Sequence, residues 1–212
     1  MQYFIGTFDG TTFRNLQLTQ TINRLDYGPD FYAGIIYHNI SQYDGRQIII
    51  SWMNNWQYAQ DVPTGPLWRG QMTIPRQLKL DFNSFTNNYH LRQLPVHELY
   101  SYSKKLLTFH HQILTSNTTN ILSNISSHVF MLSTEFHNIT KTTVIRLYVR
   151  QSLDKSEYTE IKYVDDETLT MGILQFQIIV DRCSVEIFVN GGKYTMTTLI
   201  FPKFESQRME LS

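Results

Sequence analysis

One stretch of the chain, residues 51–75, combines aromatic rings and planar polar side chains in a way that suits sugar binding. It holds all three tryptophans, Trp52, Trp56 and Trp68, together with two neighbouring asparagines and Arg69. Indole faces stack on the C–H faces of sugar rings, and amide and guanidinium groups give hydroxyls directional hydrogen bonds. The stretch predicts a carbohydrate site. The alternative is that the tryptophans belong to the core and the prolines only stiffen a surface loop.

Asp26 and Asp30 are the only close carboxylate pair set among apolar and aromatic residues. Such a pair could act as acid and base on a glycosidic bond, which needs carboxyl groups about 5–5.5 Å apart for retention or about 6.5–9.5 Å for inversion. Aspartates beside glycine or proline also commonly hydrogen-bond their own backbone in turns. We favour the turn over catalysis, and a binding role for one of the two aspartates stays open.

Other chemistries find little support in the residue types. The histidines show no ligand spacing with cysteines or carboxylates, and neighbours such as His110 and His111 point to opposite faces of a strand. The single cysteine, Cys183, allows neither an internal disulfide nor a cysteine-based zinc site. No glycine-rich phosphate loop is present, and 18 basic residues balance 18 acidic ones. We therefore expect no metal, no cofactor and no nucleic acid partner, and no apolar run approaches the ~20 residues of a membrane span.

Short strands must position the candidate residues. The pair Asp9-Gly10 indicates a two-residue hairpin turn, because glycine adopts the positive φ that such a turn demands. Further turn residues recur at roughly 8–12-residue spacing, which is typical of all-β folds. Pro75 interrupts one strand pattern and predicts an edge or bulged strand there.

The second half of the chain alternates with a period of two. Val185, Ile187 and Val189 face one way, and residues 190–192, Asn-Gly-Gly, close a hairpin. A connector with a proline lies in the 90s. We predict an all-β chain with a domain boundary there, in which the half after the boundary is a β-sandwich.

Four Asn-x-Ser/Thr sequons predict a glycosylated, extracellular protein. The chain also begins on a strand-like run directly after Met1, without a leader segment, so we expect the natural N-terminus to lie upstream. The sequon asparagines are Asn39, Asn117, Asn124 and Asn138.

Five segments, taken in order, resemble glycoside hydrolase family 32, which contains the invertases, inulinases and levanases. The resemblance implies the last blades of a five-bladed β-propeller over residues 1–95 and a C-terminal β-sandwich over residues 96–212. It also implies a retaining, metal-free hydrolase of terminal β-D-fructofuranosyl units in sucrose or fructans. The segments are YFIGTFDG (3–10), LDYGPDFYAG (25–34), SWMNNWQYAQDVPTGPLWRGQMTIPRQLKL (51–80), LRQLPVHEL (91–99) and DRCSVEIFVNGGKYTMTTLIFP (181–202).

The carboxylate motifs that perform catalysis in that family do not occur in this sequence. In the family the nucleophile lies in Trp-Met-Asn-Asp-Pro-Asn-Gly, a stabilising aspartate in Arg-Asp-Pro, and the acid/base glutamate in Glu-Cys. The resemblance places all three before the part that matches this chain. We therefore predict no catalytic residue here and no activity of the chain alone, because such groups act as a unit. The expected partners are sucrose or a fructan and the missing N-terminal blades of the same propeller.

The resemblance assigns substrate-binding positions to three residues. Trp56, in the Asn-Asn-Trp stretch, matches a tryptophan that lines the fructose pocket of the family. Asp26 and Tyr27, in the Asp-Tyr-Gly motif, match positions near its rim. Ile35 stands where many members carry glutamine or lysine, which removes a polar contact at the leaving-group or acceptor subsite.

Two other interpretations stay open. The chain could be a non-catalytic carbohydrate-binding or scaffold protein derived from such an enzyme. It could also be an unrelated β-sandwich interaction domain, although the tryptophan-rich stretch then lies outside the sandwich half without a purpose.

Overall fold

The computed structural model describes residues 1–16, 22–62, 68–84, 87–104, 107–110, 112–114, 120–140, 142–164 and 173–211. Within these ranges the regular structure is β-strand, apart from one short 3-10 helix, His97–Tyr102. The predicted all-β class is therefore confirmed. The chain divides into two compact units: Met1–His97 with Glu186–Leu199, and Glu98–Val185 with Ile200–Ser212. The first unit thus includes a segment from the far end of the chain.

The first unit is built around an antiparallel meander. Strands β5, β6, β8 and β9 pair in that order, and β7 pairs with the end of β6. A four-stranded antiparallel sheet of this kind is the form of a propeller blade. Two smaller sheets pair β1 with β4 and β2 with β3. The strands are β1 (Gln2–Tyr3), β2 (Gly6–Phe8), β3 (Phe13–Asn15), β4 (Asn23–Arg24), β5 (Tyr32–Ile36), β6 (Gln47–Met53), β7 (Gln71–Met72), β8 (Arg76–Asn83) and β9 (Asn88–Pro95).

The local sequence explains β6 and the break between β7 and β8. In β6, a β-branched run places Ile48 and Ile49 in the interior, and Ile49 packs with Leu25 and Phe31. Pro75 separates β7 from β8, because proline has no N–H group to donate to a ladder. The predicted interruption is present, but β8 pairs with both β6 and β9 and is therefore not an edge strand.

The turn between β2 and β3 differs from the prediction. The hairpin forms, but the expected two-residue turn at Asp9-Gly10 is wrong, since residues 9–12 all belong to the turn. The carboxylate of Asp9 accepts hydrogen bonds from the backbone N–H groups of Thr11 (2.9 Å) and Thr12 (2.8 Å). A local carboxylate-to-backbone turn therefore replaces the tighter one.

The second half of the chain contributes two further sheets. Their strand orders are β10-β13-β14-β15 and β12-β11-β16. Buried residues alternate along β11 and β13, for example Leu147, Val149, Ile178 and Val180. The strands are β10 (Phe130–Phe136), β11 (Val144–Gln151), β12 (Thr159–Val164), β13 (Leu174–Val180), β14 (Ser184–Val189), β15 (Tyr194–Leu199) and β16 (Arg208–Leu211).

The hairpin between β14 and β15 turns where the sequence predicts it. Asn190, Gly191 and Gly192 have φ angles of 49°, 67° and 81°. Gly192 also lies so close to the backbone of Gln93 that a Cβ would come within 1.9 Å of its carbonyl oxygen. This position therefore requires glycine for both reasons. In the described ranges, no helix has the length and apolar character needed to cross a membrane.

Candidate functional site

The tryptophan-rich stretch forms a loop that leaves β6 and returns as β7. Trp56 is 73% exposed, and Trp68 is also exposed, whereas Trp52 on β6 is half-buried. The alternative that all three tryptophans belong to the core is therefore wrong for Trp56. Residues 63–67 of this loop lie outside the described ranges.

Tyr32 connects two of the tryptophan rings. Its ring meets that of Trp52 edge-on at a centroid distance of 6.0 Å and that of Trp56 at 5.9 Å. Edge-to-face pairs of this kind stabilise the arrangement beyond simple burial. Trp56 therefore has one defined aromatic contact and leaves most of its indole open to solvent.

Asparagine side chains shape the turn that carries Trp56. The side-chain oxygen of Asn54 accepts a hydrogen bond from the N–H of Asn55 (2.8 Å), and that of Asn55 accepts one from the N–H of Gln57 (2.9 Å). Such bonds are the usual way in which asparagine forms compact turns. The backbone around Trp56 is thereby held locally.

Asp30 ties this turn to the body of the unit. Its side chain is 0% exposed. The Oδ1 atom accepts hydrogen bonds from Nδ2 of Asn55 (2.6 Å) and from the hydroxyl of Tyr58. The Oδ2 atom accepts one from the backbone N–H of Leu199 (2.7 Å) and a longer one from the Thr198 hydroxyl (3.4 Å). The carboxylate therefore joins the loop to β15.

The environment of Tyr58 keeps its phenol protonated. Burial, followed by the hydrogen bond to Asp30 and its negative charge, raises the pKa of Tyr58 far above its ordinary value of 10.0. A protonated phenol is a donor, and a carboxylate is an acceptor only. The contact is a charge-assisted hydrogen bond in which Tyr58 always donates.

A second network surrounds Arg76, which is 0% exposed. Its NH1 atom donates to Oδ2 of Asp26 (2.9 Å), and its NH2 atom donates to Oε2 of Glu186 (2.6 Å). The hydroxyl of Thr197 accepts a further hydrogen bond from Arg76 and donates to Asp26. One buried cation thus faces two buried carboxylates.

Aromatic rings cover the Arg76 guanidinium. Its central carbon lies 4.8 Å from the ring centroid of Phe31 and 5.0 Å from that of Phe188. Glu186 also accepts a hydrogen bond from the N–H of Ile74 (2.8 Å). Burial nevertheless raises the pKa of Glu186, and the Arg76 charge only partly opposes this. The burial of Glu186 reflects its place on β14, in which the residues from Ser184 to Phe188 are all buried, so that both faces of the strand are covered.

The carboxylate of Asp26 stabilises its own turn and also pairs with Arg76. Its Oδ1 atom accepts hydrogen bonds from the N–H groups of Gly28 (2.8 Å) and Thr197 (2.9 Å). A Cβ on Gly28 would come within 2.1 Å of the Thr197 carbonyl oxygen, so the backbone needs glycine there. The turn chemistry that we favoured for Asp26 is present. Its predicted binding role stays a prediction.

Tyr27 and Trp56 are held by different neighbours. Tyr27 is 48% exposed, and its ring meets that of Tyr194 at 5.9 Å. Its backbone N–H donates to the carbonyl of Thr195 (2.8 Å). Trp56 contacts Tyr32 instead. Both side chains face solvent, and the binding roles predicted for them stay predictions.

Sequence reasoning missed the residues that organise the site. Arg76 and Glu186 are far apart in the chain, and no local pattern pairs them. Asn55 and Tyr58 do lie in the predicted loop. Their closeness to Trp56 in the sequence was the one feature that could have marked them as part of the site. No feature of the sequence near Asp30 predicted that Asn55 and Tyr58 donate hydrogen bonds to it.

Three of the four predicted glycosylation sites lie in the described ranges. Asn39, Asn124 and Asn138 are exposed, and Asn39 and Asn138 have positive φ angles of 61° and 58°. Asn117 lies outside the described residues, as does His111. In the part of the chain that the structure describes, no group of three or more His, Cys, Asp or Glu residues could hold a metal ion.

Comparisons with known proteins show that this chain belongs to glycosyl hydrolases family 32. The family model for the glycosyl hydrolases family 32 N-terminal domain matches residues 1–95, and the model for the family 32 C terminal matches residues 164–212. The levanase of Bacillus subtilis (strain 168) is 33% identical over 238 residues, which cover 100% of this chain and 35% of the levanase.

Solved structures agree with the family models. Exo-inulinase from Aspergillus awamori matches with a TM-score of 0.78 and 29% identity, over 100% of this chain and 46% of that one. Fructan 1-exohydrolase IIa from Cichorium intybus shares the fold, with a TM-score of 0.77 and 19% identity over 99% of this chain and 51% of that one. These matches confirm a propeller portion followed by a C-terminal β-sandwich. The chain spans about a third to a half of the length of these relatives.

Proposed function

This chain belongs to glycoside hydrolase family 32, and we propose that it is part of a β-fructofuranosidase. In that enzyme, Trp56 of this chain would form one wall of the fructosyl-binding site. The enzyme would release terminal fructosyl units from sucrose or a fructan with retention of configuration. The relatives named above are a levanase, an exo-inulinase and a fructan exohydrolase, which supports this substrate class.

The observation that carries the proposal is the presentation of Trp56. Its indole is largely exposed, yet the turn that holds it is hydrogen-bonded on both sides of the residue. A rigid, open aromatic face is what stacking against a sugar ring requires. An indole that merely filled the core would be covered.

Cleavage needs two carboxylates in a defined geometry. A retaining glycosidase uses a nucleophile and an acid/base group about 5–5.5 Å apart across the scissile bond. The family's three carboxylate motifs are absent from this sequence. Asp26 and Asp30 are buried, and their oxygens accept hydrogen bonds from other residues of the protein. We infer that the catalytic groups come from polypeptide that carries those motifs, and that this chain alone releases no fructose.

The first strands offer a surface for such polypeptide. Phe4, Phe8, Phe13, Leu16 and Ile22 are all exposed apolar residues. Phe8 and Phe13 are paired across the β2–β3 ladder, and so many exposed apolar side chains in one short segment favour packing against further chain. We expect the isolated chain to self-associate through this surface, and a monodisperse monomer in sedimentation would argue against it.

A chimeric enzyme tests the proposal. This chain would replace the part of the B. subtilis levanase that it matches, so that the levanase supplies the carboxylate motifs. We expect the chimera to release fructose from sucrose, inulin or levan, and the chain alone to release none. Steady release by the chain alone, or a folded chimera that neither binds nor cleaves these sugars, would contradict the proposal.

A non-catalytic carbohydrate-binding protein is the second candidate. The burial of both candidate carboxylates favours it, since binding does not need them free. The same chimera separates the two functions. A chimera that binds fructosides through Trp56 but cleaves none, beside an active levanase control, would support the binding protein.

We also propose that the protein acts outside the cell. One relative is named as an extracellular exo-inulinase from Aspergillus awamori, and the described sequons are exposed. Expression through a eukaryotic secretory pathway should give a chain that loses mass on treatment with an N-glycosidase. Replacing Asn39, Asn124 and Asn138 by glutamine should remove most of that loss.

A further inference from the structure

The buried carboxylate of Asp30 accepts hydrogen bonds from residues on both sides of Trp56 in the sequence. Asn55 precedes Trp56 and Tyr58 follows it closely, and both donate hydrogen bonds to the same Oδ1 atom of Asp30. The other oxygen is held by β15 through the N–H of Leu199. The carboxylate therefore bridges a fixed strand and a solvent-exposed turn.

This bridge is strong for a physical reason. Every described donor to Asp30 is neutral, and the acceptor is a carboxylate, so each bond is charge-assisted. Because Asp30 is fully buried, the bonds act in a medium of low dielectric constant, where they are stronger than in water. Among the described residues, Trp56 itself adds the ring contact with Tyr32.

We propose that Asp30 is the positioning residue of the fructosyl site: its carboxylate holds the 55–58 turn so that the Trp56 indole is ordered before sugar binds. The substrate class rests on the proposed function, whereas the ordering of Trp56 does not. A binding surface that is ordered in advance loses less entropy when the ligand arrives. Asp30 gains its importance through Trp56 and does not itself contact the sugar.

The arrangement makes two substitutions informative. Tyr58→Phe removes one donor at the loop end and leaves Asp30 and β15 intact. Asp30→Asn keeps the shape but replaces one oxygen by an NH₂ group, which then faces either the Leu199 N–H or the donors of the loop. Two donors cannot satisfy each other, so the bridge is broken at one end.

A matched control removes buried hydrogen bonds elsewhere in the same unit. Thr195 lies on β15 like Leu199, and its buried hydroxyl donates to the carbonyl of Leu25 (2.9 Å) and accepts a longer hydrogen bond from Gln93 (3.4 Å). Thr195→Val deletes both bonds and leaves the hydrogen bonds of the loop in place. Any general loosening of the unit should appear in this variant as well.

The experiment labels the full chain with 5-fluorotryptophan, which gives one fluorine signal for each tryptophan. Loss of a signal in Trp56→Phe identifies Trp56. We expect Tyr58→Phe and Asp30→Asn to shift and narrow the Trp56 signal, while those of Trp52 and Trp68 keep their positions. Thr195→Val should leave the Trp56 signal where it is. Unchanged Trp56 signals in both loop variants, or an equal change in Thr195→Val, would overturn the proposal.

A titration of the same proteins with inulin oligosaccharides adds the functional measurement. We expect the affinity to fall about tenfold in Tyr58→Phe and Asp30→Asn, which corresponds to one charge-assisted hydrogen bond, and to stay unchanged in Thr195→Val. A folded levanase chimera that binds no oligosaccharide would refute the proposed function, and the Trp56 signal would still decide the role of Asp30. Unaltered affinity in both loop variants would refute the positioning role.

Discussion

Asp26 and Asp30 belong to the same short segment and are both buried, yet they stabilise different parts of the molecule. Asp26 meets the guanidinium of Arg76 and the backbone of its own turn and of β15. Asp30 meets neutral donors, two of which lie on an exposed loop. The two aspartates therefore have different roles. Asp26 stabilises the interior through its ion pair with Arg76, whereas Asp30 fixes an exposed loop to the interior through hydrogen bonds from neutral donors.

The charge balance of the two sites explains this division. Arg76 contacts two carboxylates, those of Asp26 and Glu186, so removal of the cation leaves two uncompensated buried charges. Such charges are far more costly than a missing neutral hydrogen bond. The Asp30 site can lose a loop donor and still keep its backbone partner on β15. Stability should therefore depend on the first site and sugar binding on the second.

The largest expected effect comes from Arg76→Met, which would break the interior site. Removing one partner of a buried pair typically costs about 3–5 kcal/mol, and the two carboxylates left behind repel each other as well. Urea denaturation measures the change. Arg46→Met is the control: its ion pair with Asp44 is partly exposed, and partly exposed pairs contribute little. Equal unfolding midpoints for the two variants would remove the distinction between the sites.

The pH dependence of the unfolding free energy tests the role of Glu186 in the interior site. Its pKa is raised in the folded chain, so the folded state binds this proton more tightly than the unfolded state does. The corresponding stability is fully present below the ordinary pKa of 4.5 and is lost as the pH rises through the folded value. The difference in unfolding free energy between wild type and Glu186→Gln should therefore decrease as the pH rises above 4.5. A difference that grows with pH would mean that Arg76 lowers this pKa instead.

A smaller effect on stability is expected from Tyr58→Phe, at the loop site. The variant loses one charge-assisted hydrogen bond to Asp30, while the three other described donors to that carboxylate remain. We expect a loss of about 1–2 kcal/mol, well below the effect of Arg76→Met. Thermal unfolding of the two variants side by side measures this. A loss as large as that of Arg76→Met would show that the loop is part of the interior.

Local signals predicted much of the fold. The alternation of apolar residues along β13 and the Asn-Gly-Gly turn at 190–192 follow from side-chain period and from positive φ. The role of Pro75 follows from its missing donor. The turn at Asp9 went wrong because a carboxylate can cap nearby N–H groups as readily as glycine can tighten a hairpin.

The interior of the candidate site could not be predicted in the same way. Arg76 pairs with Glu186 across more than a hundred residues, and an ion pair between distant strands leaves no periodic trace in either strand. Asp30 looked like a turn residue, and only the fold brings Tyr58 and Leu199 to its two oxygens. The sequence left open whether Trp56 is exposed or belongs to the core, and only the structure shows that its side chain is exposed.

Binding of methyl β-D-fructofuranoside to wild type and to Trp56→Ala tests the central claim most directly. Trp56 is 73% exposed, so its truncation should cost little more than its ring contact with Tyr32, about 0.5–1.5 kcal/mol of unfolding free energy. We predict that wild type binds the sugar and that Trp56→Ala, which stays folded, does not. Equal binding by both proteins would contradict the assignment of Trp56 as the floor of a fructosyl site.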